Sequence, residues 1–234
     1  MAIVKNDLYD YGLFIYQDDK RFKFSLDSIL LAEFVNIDKN TKYIVDFCTG
    51  NAPVPLILST KYAGNIVGIE LQKYIYDLGC KSILTNKLNN RLELINDNIK
   101  NVNNYIESES VDIVTCNPPY FKYEKNSLIN DNREKAIARH EIEMSLEDIM
   151  ISARYILKNK GELYIVHRSD RLQEIVNVLS NYKFAIKKIQ FVCTGGNVSN
   201  IVLIKAIKNG NYGSLKVFKE VDVSNVNTYK GIFG

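Results

Sequence analysis

Short apolar runs alternate with helical patterns through the middle of the chain. Five of these runs have the length and the content of Ile, Val and Leu that favour β-strands, and they cover residues 43–48, 65–71, 92–97, 110–117 and 161–168. Most of them are continuous rather than alternating, which is typical of strands buried on both faces. The pattern therefore predicts a parallel sheet.

Helical spacing of apolar residues fills the segments between the strands. The predicted helices cover residues 55–62, 72–88, 145–159 and 171–182. Ser145 precedes the third of them, and Asp148 occupies the position that a capping box requires. Repeated strand, helix, strand units predict a doubly wound α/β fold with helices on both faces of the sheet.

The C-terminal part of the chain adds two strands to this sheet. Residues 185–193 and 200–207 are apolar runs, and Gly195-Gly196-Asn197 between them is a hairpin-type signal. We therefore expect seven strands, mostly parallel, with an antiparallel C-terminal pair.

The first 40 residues differ from the rest. An alternating pattern beginning at Arg21 predicts a strand, and it passes into an amphipathic helix at Ser25. No segment rich in Gly, Ser or Pro separates this region from the remainder of the chain. We interpret residues 1–234 as a single domain in which residues 1–40 form an N-terminal hairpin and helix extension.

Composition excludes several classes of protein. With 46% hydrophobic and 24% charged residues, the 234-residue chain can bury a large core, which excludes intrinsic disorder. No apolar run approaches the roughly 20 residues that a membrane-spanning helix needs, and the N-terminus lacks a signal peptide pattern. We therefore expect a soluble cytoplasmic protein that does not contact a membrane.

The net charge and the number of potential metal-ligating residues exclude fewer classes of protein than composition does. A net charge of +3 permits nucleic-acid binding without requiring it. The four cysteines stand far apart, and His140 and His167 are the only histidines. This inventory disfavours both a disulfide framework and a zinc site, so we expect no metal.

All four prolines lie in two loops that directly follow predicted strands. Pro53 and Pro55 come after the first central strand, and Pro118 and Pro119 come after the fourth. Ligands of open α/β sheets bind at the carboxyl ends of the strands. Since the fourth strand lies beside the first in a doubly wound sheet, these two loops predict one site.

Carboxylates follow three successive strands at this edge. Asp46 opens the loop after the first strand, where Gly50 permits a positive φ and a close approach of the backbone to a ligand. Glu70 lies 24 positions after Asp46, a distance that suits hydrogen bonds to both ribose hydroxyls of an adenosine. Asp97, flanked by Asn96 and Asn98, can accept the adenine amino group.

The first loop does not have the form of a dinucleotide site. Ala52 and Pro55 replace the second and third glycines of the G-x-G-x-x-G pattern, and Pro53 and Pro55 have no N–H to offer a pyrophosphate. An adenosine without phosphate, such as S-adenosylmethionine, suits the loop better.

The second loop, Asn117-Pro118-Pro119-Tyr120, is the most specific motif in the chain. The Asn117 carboxamide oxygen and the Pro118 carbonyl can accept both hydrogens of one planar NH2 group. Two such acceptors stabilise the charge that develops on an exocyclic amine during attack on a methyl sulfonium. Tyr120 can stack on the ring that carries the amine.

Several segments resemble the bacterial tRNA1(Val) (adenine-N6)-methyltransferases, which are class I S-adenosylmethionine-dependent enzymes. The segments are DFCTGN, GIE, NPPY, ARHE and VHR, together with the N-terminal stretch YGLFIYQDDKRFKFSLDSILLAEF. NPPY is shared with DNA adenine and protein glutamine methyltransferases, so it indicates the type of reaction. The resemblance covers nearly the whole chain and implies a Rossmann-like fold and N6-methylation of the adenine at tRNA position 37, beside the anticodon of a valine tRNA.

The resemblance also implies which residues form the site. The catalytic set is Asn117, Pro118, Pro119 and Tyr120. The cofactor set is Ser25, Asp27, Asp46, Cys48, Thr49, Gly50, Asn51, Glu70, Leu71, Asp97, Asn98 and Asn117. Ala52 departs from the family pattern, in which glycine is common at this position.

Contacts to RNA are expected from a polar segment without clear periodicity. Residues 121–144 are predicted to form a mobile loop that faces the substrate. The expected RNA-binding residues are Lys20, Arg21, Lys23, Phe121, Lys122, Arg133, Arg139 and His140, which would meet the phosphates and bases of a tRNA anticodon stem-loop. This interpretation requires no oligomer. A protein glutamine N5-methyltransferase and a non-catalytic RNA-binding module are the alternatives.

Overall fold

The computed structural model describes residues 3–18, 23–119 and 144–233. The strands are β1 Ile3–Leu8, β2 Leu13–Asp18, β3 Tyr43–Phe47, β4 Asn65–Ile69, β5 Leu92–Ile95, β6 Val111–Cys116, β7 Leu157–Arg168, β8 Phe184–Cys193, β9 Ile201–Lys208 and β10 Lys216–Asp222. The helices are α1 Leu26–Phe34, α2 Pro53–Leu58, α3 Lys73–Thr85, α4 Leu146–Ile156 and α5 Leu172–Asn181. Short 3-10 helices cover Tyr9–Tyr11, Ile99–Asn104 and Ser169–Arg171.

Eight strands form the main sheet, in the order β10-β8-β9-β7-β6-β3-β4-β5. The five strands from β7 to β5 are parallel, whereas β9 is antiparallel to both β7 and β8. The predicted parallel centre and the antiparallel C-terminal pair are confirmed. The expected count of seven strands is wrong because β10 pairs parallel with β8 at the edge. Six of its seven residues are exposed, so this strand has no apolar face for a sequence pattern to indicate.

Several helix boundaries also differ from prediction, including the end of α3, which lies at Thr85 rather than at residue 88. Helix α2 is predicted at residues 55–62 but begins at Pro53, because proline suits the first turn of a helix, where no N–H is needed. Helix α4 is predicted to reach residue 159 but ends at Ile156. Leu157 is already extended and pairs with Val111, so β7 starts four residues earlier than residue 161.

Helices cover both faces of the sheet, as predicted. Neighbouring residues of β3 belong to the two hydrophobic clusters on opposite faces of the sheet. Ile44 packs on the side of α1 and α2 with Leu56, and Val45 packs on the opposite side with Ile149 of α4. This alternation explains why the central strands are continuous apolar runs. Among the described residues, no helix has the length and apolar character needed to cross a membrane.

Strands β1 and β2 form a separate antiparallel hairpin that packs on α3. The backbone N–H and C=O of Phe14 bond the carboxamide of Asn86, at 2.9 and 2.6 Å, and the N–H of Tyr16 bonds Ser82 Oγ at 2.9 Å. Side chains of α3 and the residue directly after it thus cover the edge of β2 that faces away from β1. The strand predicted from Arg21 is not seen at Lys23 and the residue after it, and α1 begins directly after Ser25 as expected.

Candidate active site

Strand pairing brings the predicted loops to one edge of the sheet. β3 lies between β4 and β6, so that Phe47 stands opposite both Ile69 and Cys116. The segments that follow these residues are the loop 48–52, Glu70 and the described part of the NPPY motif, residues 117–119. The topology therefore places the segments after β3 and β6 next to each other, as the sequence predicts, although Pro53 and Pro55 belong to helix α2 rather than to the first loop.

The first loop has an unusual backbone. Cys48, Gly50 and Ala52 have φ angles of 56°, 60° and 70°, in the left-handed region that favours glycine, although only one of them is a glycine. Each non-glycine residue in this region costs on the order of 1 kcal/mol. Backbone hydrogen bonds from Thr49 N to Ile69 O and from Ala52 N to Thr49 O, both 3.0 Å long, hold this shape.

Asp46 lies beneath the first loop and has only 1% of its surface exposed. Its two carboxylate oxygens accept hydrogen bonds from Thr49 Oγ1 at 2.6 Å and from Thr115 Oγ1 at 2.5 Å. Burial raises the pKa of Asp46 to about 7. Asp46 therefore joins the loop after β3 to the end of β6 and does not lie at the surface of the loop.

Glu70 connects the ends of β3 and β4. One carboxylate oxygen accepts the N–H of Gly50 at 2.9 Å and the other accepts the N–H of Gln72 at 2.8 Å. Burial raises the pKa of Glu70, and these N–H donors oppose the rise. Because a carboxylate has about four acceptor positions, Glu70 can still accept hydroxyl groups. The neighbouring Leu71 is exposed, and its carbonyl accepts Nδ2 of Asn96.

Asp97 and Asn98 follow β5 and have different local roles. Asp97 accepts hydrogen bonds from Tyr105 OH at 2.6 Å, from Asn101 Nδ2 and from the N–H of Asn98, and these bonds lower its pKa. The Asn98 side chain accepts the N–H of Lys100 and so caps the 3-10 helix that starts at Ile99. Asp97 is only partly buried and remains at the predicted edge.

The second loop contacts the start of helix α1. Asn117 Nδ2 donates to Ser28 Oγ at 2.9 Å, and Ser25 Oγ lies 3.5 Å away. Asp27, which is expected to bind the cofactor with Ser25, is half-buried on the same turn. Ser28 is not among the residues predicted from the sequence, although its position three residues after Ser25 places both hydroxyls on the same side of the helix.

Two buried carboxamides link the hairpin to the first loop. Asn51, which is fully buried, donates from Nδ2 to the carbonyl of Tyr16 at 2.7 Å. Asn51 Oδ1 and Oε1 of Gln17, a residue with 6% exposure, have no hydrogen-bond partner among the described residues. Unmatched buried acceptors are unfavourable, so each of these oxygens suits a group that donates hydrogen bonds, such as an ammonium group. No sequence pattern indicates Gln17 as a site residue.

S-adenosylmethionine fits this set of donors and acceptors. Glu70 and Asp97 offer carboxylates at two neighbouring strand ends, and Gln17 and Asn51 offer buried acceptors near the first loop. No histidine, cysteine or carboxylate cluster suited to a metal ion occurs within residues 3–18, 23–119 and 144–233.

The remaining predicted residues fall into two groups. Pro118 is buried and Pro119 is half-buried, directly after Asn117, and Lys23 is exposed before α1. Eight predicted residues lie outside the described residues: Lys20, Arg21, Tyr120, Phe121, Lys122, Arg133, Arg139 and His140. The same holds for the predicted substrate-facing loop 121–144, apart from its last residue.

Curated relatives support the resemblance found in the sequence. The chain is 24% identical over 164 residues to the tRNA1(Val) (adenine(37)-N6)-methyltransferase of Cytophaga hutchinsonii, covering 70% of this chain and 67% of the relative. It is 23% identical over 215 residues to the protein of the same name from Bacteroides thetaiotaomicron, covering 90% and 87% of the two chains. No family model matches the sequence.

Solved structures show the same fold. A predicted O-methyltransferase from Agrobacterium tumefaciens superposes with a TM-score of 0.66 at 18% identity, over 86% of this chain and 90% of that one. Geranyl diphosphate C-methyltransferase from Streptomyces coelicolor, solved with S-adenosyl-L-homocysteine, gives a TM-score of 0.56 at 11% identity, over 78% and 79% of the chains. The protein thus has a Rossmann-like methyltransferase fold and is similar, over most of its length, to the tRNA1(Val) (adenine(37)-N6)-methyltransferases.

Proposed function

We propose that this protein is an S-adenosylmethionine-dependent methyltransferase that methylates N6 of the adenine at position 37 of a valine tRNA. The names of the relatives support this substrate. The observation that carries the proposal is the position of Asn117, Pro118 and Pro119 at the carboxyl end of β6, beside the loop that follows β3. A carboxamide and a proline carbonyl at that point suit a planar amine.

The cofactor would be held by the residues that connect the strand ends. Glu70 would accept the ribose hydroxyls, and Asp97 would accept the adenine amino group. The unmatched oxygens of Gln17 and Asn51 would accept the ammonium group of the methionine part. When bound, S-adenosylmethionine supplies a methyl group on a sulfonium.

The role of the second loop is to activate a weak nucleophile. The lone pair of adenine N6 is delocalised into the ring, so the amine reacts poorly in water. Asn117 Oδ1 and the carbonyl of Pro118 would each accept one N6 hydrogen and stabilise the positive charge that develops on the nitrogen as the new N–C bond forms and the bond from the methyl group to sulfur breaks, leaving a neutral thioether. The excess proton then passes to solvent, so no strong base is required.

Binding of the tRNA would place the anticodon loop over this edge of the sheet. Adenine 37 must leave its stack to reach Asn117, which is easier in a loop than in a duplex. Lys23, an exposed residue just before α1, supports this placement because it lies two residues from Ser25. The predicted contacts from Lys20, Arg21 and the segment 121–144 are part of the same proposal.

Nucleoside mass spectrometry on a valine tRNA transcript tests this function. Wild-type protein with S-adenosylmethionine should produce N6-methyladenosine at one position. Asn117→Ala should lower the rate by about 100-fold or more while the Kd for the cofactor, measured by calorimetry, changes less than about twofold. Asn181→Ala, an exposed asparagine at the end of α5, is the matched control and should retain full activity. A fully active Asn117→Ala protein contradicts the mechanism.

The two alternatives give different results in the same experiments. A protein glutamine N5-methyltransferase would label a protein substrate, and ribonuclease treatment of the substrate would leave the label unchanged. A non-catalytic RNA-binding module would bind tRNA without binding S-adenosylmethionine.

A further inference from the structure

We propose that Ser28 is a positioning residue that holds the Asn117 carboxamide in place at the end of β6. This inference rests on the proposed function and assigns a role to a residue of helix α1 that lies outside both strand-end loops. The inference is based on the 2.9 Å hydrogen bond from Asn117 Nδ2 to Ser28 Oγ.

The orientation of this carboxamide decides whether it can act on an amine. An asparagine side chain presents an acceptor oxygen on one side and a donor NH2 on the other, and the two have nearly the same shape. Turned by 180°, Asn117 would direct N–H groups at the N–H groups of the target amine. With Nδ2 held against Ser28, the oxygen lies on the side of the carboxamide that faces away from α1. This is the orientation that accepts a hydrogen from a substrate amine.

A serine hydroxyl can accept or donate a hydrogen bond, so the contribution of Ser28 is a fixed position for the carboxamide, and it is suited to this because its own position is rigid. It is only 6% exposed, and Leu30 and Leu31 on the following turn are completely buried. The second serine near the carboxamide, Ser25, lies 3.5 Å from Asn117 Nδ2 and is exposed. A longer and solvent-exposed hydrogen bond constrains a side chain less, so the structure assigns the larger effect to Ser28.

A double-mutant cycle tests the inference. Ser28→Ala should lower kcat for tRNA methylation by about tenfold, with the Kd for S-adenosylmethionine and the KM for tRNA unchanged within about twofold. Ser28→Thr keeps the hydroxyl group and should retain most of the activity. In an Asn117→Ala background, Ser28→Ala should have no further effect on the residual rate, because there is no carboxamide left to hold in place.

Ser152→Ala is the matched control. Ser152 is also a buried serine on a helix, but it belongs to α4. It should leave kcat unchanged, and thermal unfolding of every variant shows whether a loss of activity reflects a loss of fold.

The outcomes separate the inference from the proposed function. If the wild-type protein does not methylate tRNA, the proposed function fails. If it does, and Ser28→Ala is as active as wild type, the inference fails alone. It also fails if Ser28→Ala slows the Asn117→Ala protein by the same factor as the wild type, since Ser28 would then act independently of the carboxamide.

Discussion

Asp46 and His167 are buried ionisable side chains near the ends of β3 and β7. We expect them to give the free energy of unfolding opposite dependences on pH. Asp46 is the last but one residue of β3 and pairs with Thr115, and burial raises its pKa from the usual 3.8 to about 7. His167 lies near the end of β7 with 1% of its surface exposed, and burial together with the charge of Arg171 lowers its pKa from 6.5 to about 4. Both groups are therefore preferentially neutral in the folded protein.

The size of each contribution depends on the difference between the folded and unfolded pKa values. Folded Asp46 binds its proton more tightly than the unfolded chain does, so the free energy of unfolding falls by about 4 kcal/mol as pH rises from about 4 to 7. His167 binds its proton more tightly in the unfolded chain, so the free energy of unfolding rises by about 3 kcal/mol between pH 4 and 6.5. In the wild-type protein the two contributions largely cancel.

Single substitutions should reveal each contribution. Asp46→Asn keeps the shape of the side chain and removes the charge. The free energy of unfolding of this variant minus that of the wild type should therefore increase by about 4 kcal/mol from pH 4 to 7. In His167→Asn, Oδ1 can replace Nδ1 as the acceptor for the Arg168 N–H, and the relative stability should decrease by about 3 kcal/mol over the same range.

Urea unfolding followed by far-ultraviolet circular dichroism, in the absence of cofactor, measures these differences. Groups distant from the two substitutions titrate alike in the three proteins, so their contributions cancel in the difference curves, and a cavity left by the smaller asparagine shifts the His167→Asn curve without tilting it. Difference curves that stay flat with pH would show that neither group is held neutral by burial.

Two further substitutions test contacts made by α3 and by the residue directly after it. Asn86→Ala removes both hydrogen bonds to the backbone of Phe14. It should lower the free energy of unfolding by about 2 kcal/mol and speed hydrogen exchange at the Phe14 amide. An unchanged exchange rate at this amide would contradict the prediction. Gly79→Ala places a Cβ 2.6 Å from Leu94 Cδ1 and 3.4 Å from the carbonyl oxygen of Gly50. Although alanine favours helices over glycine by about 1 kcal/mol, calorimetry should show about tenfold weaker binding of S-adenosylmethionine. Equal affinity would mean that the first loop tolerates the added methyl group.

The central sheet could be predicted from the sequence because its strands are buried on both faces. Burial on two faces leaves continuous apolar runs, and the position of β6 beside β3 is dictated by the topology of doubly wound sheets. The same reasoning could not find β10, since its side chains are exposed and carry no periodic pattern. It also could not separate α4 from β7, because the chain passes from Ile156 to Leu157 without a turn residue.

The candidate site could be predicted in its location but not in its internal contacts. Spacing identifies Asp46 and Glu70 at the strand ends, yet it cannot show that Asp46 is buried beneath the loop and bonded to two threonines. Nor can it show that the side chain of Asn98, a predicted cofactor residue, also caps a 3-10 helix. Such roles depend on contacts between segments that are distant in the chain, which linear spacing does not encode.

The N-terminal region contributes to both halves of the site. The carbonyl of Tyr16 accepts a hydrogen bond from Asn51 in the first loop, and Ser28 accepts one from Asn117 in the second, so residues 3–34 contact both loops of the candidate site. Side chains at the end of α3 also hold the hairpin, through Asn86. A change in the position of the hairpin would therefore reach the first loop through Asn51. The N-terminal region is therefore joined by side-chain hydrogen bonds to both loops of the candidate site.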